Sequence, residues 1–334
     1  MRRGKRPFGR KNPETVSRGD AEDAKREAAR NPWRNCSRGL AVLLLVAQLA
    51  LRLPENVPGD FFVDSTCIDC DACRIFAPSV FSDGGDQSSV YHQPENEEEL
   101  LAAQKALISC PTTSIGSVAK HDMRQALGDL PEHVNADVYR CGYASESSFG
   151  AISYLIRRPD GNLLIDSPRF SGPLVKNIDA MGGAAKILLT HQDDVADHAK
   201  YHDRFGCQRV LHRDDVHRQT AAIELQPAGI DPIALGSDIV MIPTPGHTKG
   251  HAVFLYRDRY LFTGDHLAWS AKRGHLYAFR SACWYSWPEQ IRSMERLLDY
   301  RFEWVLPGHG RPVHRDAAAM HASLEQCVAW MRRQ

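Results

Sequence analysis

The sequence predicts an α+β protein in which a small domain with patterned cysteines is followed by a larger domain of sheets covered by helices. Two observations predict this class. Residues 53–118 are acidic and carry closely spaced cysteines, whereas residues 138–334 alternate short apolar runs with helix-like stretches. Strand-like runs that form hairpins and are interleaved with helices are typical of sheets with helices on their outer faces. Residues 119–137 are expected to be a polar linker with a short helix.

The composition is that of a folded protein. Of the 334 residues, 43% are hydrophobic and 25% are charged, which excludes a disordered or fibrous chain and is sufficient for two domains. Lysine plus arginine and aspartate plus glutamate both total 41, so the net charge gives no support for a nucleic-acid partner. No segment is long and apolar enough to predict a membrane span.

Residues 1–52 read as a targeting or disordered extension. Residues 1–38 hold twelve Lys and Arg against five acidic residues, a net charge of +7, and the apolar run at residues 40–51 follows. An organelle presequence, a secretory signal and a plain extension all stay open, because the cleavage pattern is poor and five acids are many for a transit peptide. A presequence would direct the protein to a plastid or mitochondrion, and otherwise we expect it in the cytoplasm.

Hydrophobic patterns divide the larger domain into elements. A Pro-Asp-Gly-Asn turn at residues 159–162 separates two strand-like runs, residues 151–156 and 163–166, and predicts a β-hairpin. Residues 193–205 have apolar positions at helical spacing. Pro288 marks the start of another helix. The other expected elements are strands at 186–190, 239–242, 253–256, 260–262 and 304–306, and helices at 288–300 and 316–333.

Four of the nine cysteines follow a pattern. Cys67, Cys70 and Cys73 lie within seven residues, and Cys110 is followed directly by a proline. Three thiols at this spacing can bind one face of an iron–sulfur cube and leave the fourth iron for a distant thiolate. Ala77 occupies the position at which a two-cluster ferredoxin has a further cysteine, so one cluster is expected. The other five are read as ordinary small residues: Cys36, Cys141, Cys207, Cys283 and Cys327.

Residues 64–116 resemble single-cluster [4Fe-4S] ferredoxins. The resemblance rests on the cysteine triplet and on the run Cys-Pro-Thr-Thr-Ser-Ile-Gly at residues 110–116. It implies a small ferredoxin-like domain whose four patterned cysteines hold one [4Fe-4S] cluster. A zinc site and disulfide bonds are the alternatives. Zinc usually takes cysteines as two Cys-x2-Cys pairs, and disulfides need an oxidising compartment and do not explain the triplet.

Histidine and aspartate cluster at four places, each just after an expected strand. These clusters are residues 191–198, 246–251, 263–266 and 307–310. Loops that follow the strands of a sheet meet at one edge, so side chains that are distant in sequence can form one site there. Glycine in three of the clusters allows the backbone to turn tightly and to approach a bound ion: Gly246, Gly264 and Gly308.

Together the four clusters resemble the metallo-β-lactamase superfamily, from about residue 139 to residue 333. The blocks Gly-His-Thr-x-Gly-His, Phe-Thr-Gly-Asp and Pro-Gly-His-Gly look most like its glyoxalase II and persulfide dioxygenase branch. The resemblance implies an αββα sandwich with a centre of one or two divalent metal ions between the sheets. His251 and His266 are read either as groups that orient metal ligands or as ordinary core residues.

The first cluster departs from the family pattern Thr-His-x-His-x-Asp-His. Asp193 stands in place of the second histidine, and two extra residues precede Asp197 and His198. The resemblance implies a first metal ion held by His191, Asp193 and His247, and a second held by Asp197, His198 and His309. Asp265 is expected to bridge the two ions, and Asp194 is the alternative to Asp193. Asp197 and Asp265 are the expected catalytic residues.

The extra carboxylate changes the expected metal chemistry. Two divalent ions with two aspartates and a hydroxide carry about +1, and a third aspartate brings the centre to about zero. Water on such ions is less acidic than the pKa of about 7 at a strongly activating zinc centre. Oxygen-rich ligation also suits iron better than an all-histidine set does, so zinc and iron both stay open.

The leading hypothesis is a metal-dependent hydrolase in which a metal-bound hydroxide attacks an ester or thioester of a small molecule. The alternative is a redox enzyme, an iron-dependent oxygenase or reductase that receives electrons from its own ferredoxin domain. Two further options stay open. The iron–sulfur cluster is structural or senses oxygen, or the altered histidine cluster at residues 191–198 no longer binds a metal ion. The expected partners are a small-molecule substrate and an electron donor or acceptor protein, with no nucleic acid.

Overall fold

Two six-stranded sheets make up most of the molecule. A computed structural model describes residues 47–334, so Cys36 and most of the expected targeting segment lie outside the described residues. The described residues belong to one compact unit. None of the helices in this part of the chain is both long and apolar enough to cross a membrane.

The cysteine-bearing part is built from short elements. Its strands are β1 (Phe61–Val63), β2 (Phe81–Asp83), β3 (Ser88–Val90) and β4 (Ile115–Ser117), and its helices are α1 (Ala72–Phe76) and α2 (Glu97–Ser109). Strands β1 and β4 pair antiparallel, and β2 and β3 form a hairpin. The side chain of Asn96 accepts a hydrogen bond from the backbone N–H of Glu99 and caps α2, whose first turn is acidic. The cysteine triplet and Cys110 are thereby brought to the same end of this part.

The first large sheet follows a short helix, α3 (Arg124–Gly128). Its strands are β5 (Glu132–Asn135), β6 (Val138–Arg140), β7 (Tyr154–Ile156), β8 (Leu163–Ile165), β9 (Lys186–Leu188) and β10 (Gln208–Val210), in the order β10-β9-β8-β7-β6-β5. Helices α4 (Gly172–Ala180) and α5 (His198–Phe205) connect its last strands. Residues 132–135, expected in the linker, are the edge strand β5. The linker expectation holds for the short helix α3 but not for this strand.

The strands that follow are β11 (Ile233–Ala234), β12 (Ile239–Pro243), β13 (Ala252–Tyr256), β14 (Tyr260–Gly264), β15 (Ala268–Ser270), β16 (His275–Tyr277), β17 (Trp304–Pro307) and β18 (Val313–His314). The second large sheet has the order β11-β12-β13-β14-β17-β18, and β15 and β16 form a separate two-stranded hairpin. Helices α6 (Trp287–Leu297) and α7 (Ala317–Met331) complete the chain. The expected hairpins and helices of this part are confirmed. Helix α5, however, begins at His198 rather than near residue 193, because residues 191–197 form a loop.

Successive side chains of the second sheet pack alternately into two hydrophobic cores. Phe254 and Tyr256 of β13 point to the core shared with the first sheet, whereas Val253 and Leu255 point to the core under α6 and α7. This is the two-residue period of a strand that is buried on both faces. The Tyr154 ring of the first sheet lies 5.4 Å from the Phe262 ring of the second. The two sheets therefore share one core, and α6 and α7 cover the outer face of the second sheet.

A charged group joins the cysteine-bearing part to the first sheet. Glu132 of β5 accepts hydrogen bonds from Lys105 of α2 (3.2 Å) and from Nε of Arg140 of β6 (3.1 Å). Arg140 also donates to the carbonyl oxygen of Ile75 in α1. Although burial acts to raise it, these two cations hold the pKa of Glu132 below its ordinary value. The carboxylate is therefore a link between three elements.

Glu132→Gln should lower the free energy of unfolding by roughly 1–3 kcal/mol at pH 7, because the buried hydrogen bonds lose their charge. A carboxyl group with a lowered pKa stabilises the fold above its unfolded-state pKa, and this stabilisation is lost as the pH falls through its folded-state pKa. The difference between variant and parent should therefore shrink from about pH 5 toward pH 3. Urea unfolding at several pH values measures this difference in the free energy of unfolding. Glu98→Gln, at an exposed position, is the control, and its free energy of unfolding should change little. An equal difference at every pH would contradict the electrostatic role.

Candidate metal centre and cysteine cluster

Four strand-end loops bring histidine and aspartate side chains together. His191 lies just beyond β9, His247 beyond β12, Asp265 directly after β14 and His309 two residues after β17. The loop after β14 lies close to the loop after β9 because β14 ends in Gly264, which has no side chain. A Cβ atom at Gly264 would lie 2.5 Å from the Thr190 hydroxyl and 2.9 Å from Nε2 of a buried histidine, and its φ of +48° also favours glycine. The expected convergence of the four loops is thus observed.

Two histidines and two aspartates face one point. His191 Nε2 lies 3.9 Å from Asp193 Oδ2 and 3.7 Å from Asp265 Oδ2. His247 Nε2 lies 3.6 Å from Asp193 Oδ2 and 3.8 Å from Asp265 Oδ2. The two imidazole rings are nearly perpendicular, with centroids 4.7 Å apart. Each histidine nitrogen is therefore near both carboxylates, which is the arrangement of donors around a shared cation.

The protonation of His191 suits a metal ligand. The Thr190 hydroxyl donates to Asp166, so its oxygen is the acceptor for Nδ1–H of His191 at 3.0 Å. Burial lowers the pKa of His191 to about 4, which keeps the ring neutral and leaves the Nε2 lone pair free. Nε2 of His191 and Nε2 of His247 are buried and have no hydrogen-bond partner among the described residues. Buried polar atoms normally have partners, so these residues fit a bound cation.

Asp265 is fixed by His309. His309 Nδ1 donates to Asp265 Oδ1 at 2.6 Å, and His309 Nε2 donates to the carbonyl oxygen of Phe149 at 3.2 Å. Burial opposes ionisation of Asp265, but His309 outweighs it and holds the pKa of Asp265 well below its ordinary value. Burial likewise opposes the charge of His309, and Asp265 outweighs it and raises the pKa of His309. In this arrangement both ring nitrogens of His309 have hydrogen-bond partners.

Asp194 lies on the other side of His191 from Asp193. Its Oδ2 is 4.0 Å from His191 Nδ1, and its side chain is buried with neither oxygen hydrogen-bonded among the described residues. Burial, followed by the nearby Asp265 carboxylate, raises the pKa of Asp194 well above its ordinary value. Burial therefore favours the protonated form of this carboxyl group, although Asp194 also belongs to one of the groups that could hold an ion. Both aspartates that the sequence left open as ligands reach the site, but in different environments.

Asp197 and His198 are not brought to the centre. Asp197 accepts a hydrogen bond from the backbone N–H of Phe170 at 2.7 Å and pairs with Lys200. His198 Nδ1 accepts from Arg209 at 3.3 Å, and burial lowers its pKa to about 4. Within residues 47–334, two groups could hold an ion: His191 with Asp193 and His247, and His191 with Asp194 and Asp265.

The structure does not bring the three expected ligands of the second metal ion together. The two extra residues in the first cluster place Asp197 at the N-terminus of α5 and His198 in its first turn, where both have other partners. His309, the third expected ligand, donates hydrogen bonds through both ring nitrogens. The two groups that could hold an ion share His191, and the assignment of His191, Asp193, His247 and Asp265 as the ligands of one ion stays a prediction.

Two supporting residues were missed from the sequence. Asp166 accepts from the backbone N–H and the hydroxyl of Thr190, and so orients the residue beside His191. Asp215 accepts from Thr248 and from the backbone N–H groups of Gly250 and Gln192, and so ties two of the site loops together. Asp166 directly follows a buried strand, which is the same signal that marked Asp265. Asp215 carries no comparable signal.

The four patterned cysteines line one small cavity. All four are free thiols, and Asp69 and Asp71 adopt left-handed backbone conformations that turn the loop tightly between them. Burial raises the pKa of the Cys70 thiol to about 12, and burial also raises the pKa of Cys73. Thiolates are thus disfavoured here without a compensating cation, whereas iron would stabilise all four. The backbone N–H of Ser114 donates to Cys110 Sγ at 3.2 Å. These residues fit a cluster.

A larger cavity of about 870 Å³ extends from the metal centre to the cysteine loop. Asp193, His247 and Asp265 lie on its wall at one end, and Cys70 lies on its wall at the other. Four aromatic residues also line it: Phe149, Tyr277, Phe279 and Trp284. A volume of this size accommodates a small-molecule ligand. The sequence assigned the two sites to separate domains and gave no indication that they share a cavity.

Residues 63–117 match the family described as the 4Fe-4S single cluster domain of Ferredoxin I. The chain is also similar to curated hydroxyacylglutathione hydrolases. The enzyme of Xanthomonas campestris pv. campestris (strain B100) is 26% identical over 179 residues, which are 52% of this chain and 67% of that protein. The enzyme of Cereibacter sphaeroides (strain ATCC 17023) is 35% identical over 109 residues, which are 31% of this chain and 42% of that protein.

Two solved structures also match. A metallo-β-lactamase from Pontibacter korlensis has a TM-score of 0.46 at 17% identity, over 60% of this chain and 98% of that chain. ETHE1 from Myxococcus xanthus has a TM-score of 0.40 at 20% identity, over 58% of this chain and 89% of that chain. The ferredoxin match and the hydrolase relatives confirm the two resemblances on which the sequence interpretation rested. The chain therefore contains a segment, residues 63–117, that matches the single-cluster [4Fe-4S] ferredoxin domain, and over about half of its length it is similar to curated hydroxyacylglutathione hydrolases.

Proposed function

We propose that this chain is a metal-dependent hydrolase of small-molecule esters or thioesters with one divalent ion at its centre. The observation that carries this proposal is the pair of buried Nε2 atoms of His191 and His247, which face Asp193 and Asp265 at 3.6–3.9 Å. We propose further that Cys67, Cys70, Cys73 and Cys110 hold a [4Fe-4S] cluster in a ferredoxin-like fold. We propose also that residues 138–334 form the αββα sandwich of the metallo-β-lactamase superfamily.

A divalent ion held by these residues would act as a Lewis acid that polarises a carbonyl group and lowers the pKa of a water molecule. The chain itself positions the ligands. Thr190 and Asp166 fix the ring of His191, and His309 fixes the carboxylate of Asp265. Such supporting hydrogen bonds set the orientation of ligands and the tautomer of a histidine.

Asp194 is the candidate general acid. Its carboxyl group lines the large cavity, and burial raises its pKa and so favours the protonated form. A leaving alkoxide or thiolate needs a proton donor within reach, and a buried carboxyl beside a second carboxylate is a common solution. The aromatic lining of the cavity would exclude water from the acyl group. The name of the curated relatives supports a thioester as the first substrate to test.

The test is anaerobic purification, elemental analysis and an assay with acyl thioesters of small thiols. The parent should contain one divalent ion per chain besides the cluster iron and should hydrolyse a thioester. We expect His247→Ala to lose the ion and to lower hydrolysis by more than about 100-fold. His212→Ala is the matched control, because His212 is also buried in a loop but bonds only backbone groups. A fully loaded parent that hydrolyses neither esters nor thioesters would refute this function.

A second candidate function is supported by one specific observation: Cys70 lines the same cavity as the metal centre. Two histidines with carboxylates and open positions are typical of non-haem iron sites. We propose, as the alternative, a redox enzyme in which iron at this centre receives electrons through the fused ferredoxin segment. Iron at the centre without hydrolysis supports this candidate, and zinc at the centre eliminates it.

A further inference from the structure

One turn of the chain lies directly against a cysteine of the triplet. Gly150, with a φ of +85°, follows the short helical turn Glu146–Ser148. A Cβ atom at Gly150 would lie 2.5 Å from Cys70 Cβ and 2.6 Å from Cys70 Sγ. Such distances are shorter than van der Waals contact, so only glycine allows the backbone to pass this close to the sulfur atom. The Gly150 backbone is thus in contact with the cysteine loop.

The same turn is bonded to the metal-centre loop on its other side. The carbonyl oxygen of Phe149 accepts a hydrogen bond from His309 Nε2 at 3.2 Å, and the N–H of Ile152 donates to the carbonyl oxygen of Gly308 at 2.8 Å. Phe149 has a φ of +48°, which is rare for an aromatic residue and costs conformational energy. The strained turn is held in place by contacts on both sides.

Together these contacts form a continuous path. It runs from Cys70 through the Gly150 and Phe149 backbone to His309, and from His309 Nδ1 to Asp265 Oδ1 at 2.6 Å. Asp265 Oδ2 then faces both histidines of the metal centre. Each step is a covalent bond, a hydrogen bond or a packed contact, so the path contains no water-filled gap. Hydrolysis does not require a connection between the centre and the cysteine loop.

We propose that the Gly150–Phe149 backbone and the His309 ring form the path along which single electrons tunnel between a cluster on the four cysteines and an iron ion at the metal centre. One electron leaves the reduced cluster, which goes from [4Fe-4S]⁺ to [4Fe-4S]²⁺, and a ferric ion becomes ferrous. No bond between heavy atoms forms or breaks. A one-electron donor of low potential then reduces the cluster again. This inference rests on the second candidate function and not on hydrolysis.

The test follows the transfer by electron paramagnetic resonance and not by turnover. Protein with an oxidised cluster and ferric iron at the centre is mixed anaerobically with one electron equivalent of dithionite and frozen at successive times. In the parent, we expect the ferric signal to disappear without accumulation of the reduced-cluster signal. In His309→Leu, we expect the ferric signal to disappear about 10-fold or more slowly, with the reduced-cluster signal visible meanwhile.

His212→Leu is the matched control and should behave as the parent does, because its hydrogen bonds lie away from the path. If His309→Leu loses iron from the centre, Gly150→Ala tests the path from the cysteine end, where the added methyl group must separate the turn from Cys70. Equal rates in the parent and in a fully loaded path variant would overturn the path alone. Zinc in place of iron at the centre would overturn the second candidate function and the path together.

Discussion

Asp265→Ala is expected to release the metal ion from the centre while leaving the spectrum of the iron–sulfur cluster unchanged. Asp265 faces both histidines, at 3.7 and 3.8 Å, as Asp193 also does, but Asp265 is the more buried of the two and is hydrogen-bonded to His309. Its removal leaves two imidazoles and one half-exposed aspartate around the ion. Metal affinity should fall by more than about 100-fold, since loss of a supporting hydrogen bond alone can cost 10–100-fold.

Elemental analysis of anaerobically purified protein measures this outcome, with the cluster followed by electron paramagnetic resonance after reduction. Asp197→Ala is the matched control, because Asp197 was an expected ligand but bonds the Phe170 backbone and Lys200. It should retain the ion. Loss of metal from Asp197→Ala would restore the two-ion arrangement that the sequence implied. Unchanged metal in Asp265→Ala would refute the four-residue site.

Local spacing made the cysteine site and the strand-end clusters predictable. Three thiols within seven residues describe a binding loop without reference to the rest of the fold, and the ferredoxin match at residues 63–117 agrees. The hairpin of β7 and β8 was predictable because its turn chemistry lies between two apolar runs. Glycine at residue 264 was predicted to permit close approach, and the 2.5 Å distance to Thr190 gives the reason.

The first histidine cluster was predictable only in part. A family pattern assigns ligands by position, but two extra residues moved Asp197 and His198 into the start of a helix. Which of Asp193 and Asp194 replaces the missing histidine depends on how the loop bends. Asp193 faces His247, and Asp194 is buried near Asp265 and His191. A loop conformation of this kind is set by tertiary contacts and not by local sequence.

The connection between the two sites could not be predicted from the sequence. Phe149 and His309 are 160 positions apart, and Gly150 contacts a cysteine 80 positions earlier in the chain. Nothing in the composition near residue 150 distinguishes this turn from any other. Treating the two halves as separate domains also concealed the shared cavity, because the linker expectation placed a boundary where β5 joins the sheet.

Cys110→Ser is expected to destroy or degrade the [4Fe-4S] cluster while sparing the ion at the metal centre. Cys110 is the distant fourth thiol, buried beside the triplet in one small cavity. Serine is a weaker ligand for iron than a thiolate, so the cube would lose one of its four protein ligands. We expect iron per chain to fall by at least the cluster content of the parent, and the reduced-cluster signal to be lost or changed to that of a three-iron species.

The control for this variant is Cys283→Ser, because Cys283 is half-buried and only donates a hydrogen bond to the carbonyl oxygen of Gly246. It should keep both the cluster and the centre. The metal centre also reports on Cys110→Ser. Cys70 and Gly150 are packed together, so collapse of the whole cysteine loop, unlike the loss of one cluster ligand, would disturb the turn that holds His309. A four-iron signal of parental intensity in Cys110→Ser would show that another residue completes the cluster. Loss of both metals would show instead that the two sites fold as one unit, since the centre itself contains no cysteine.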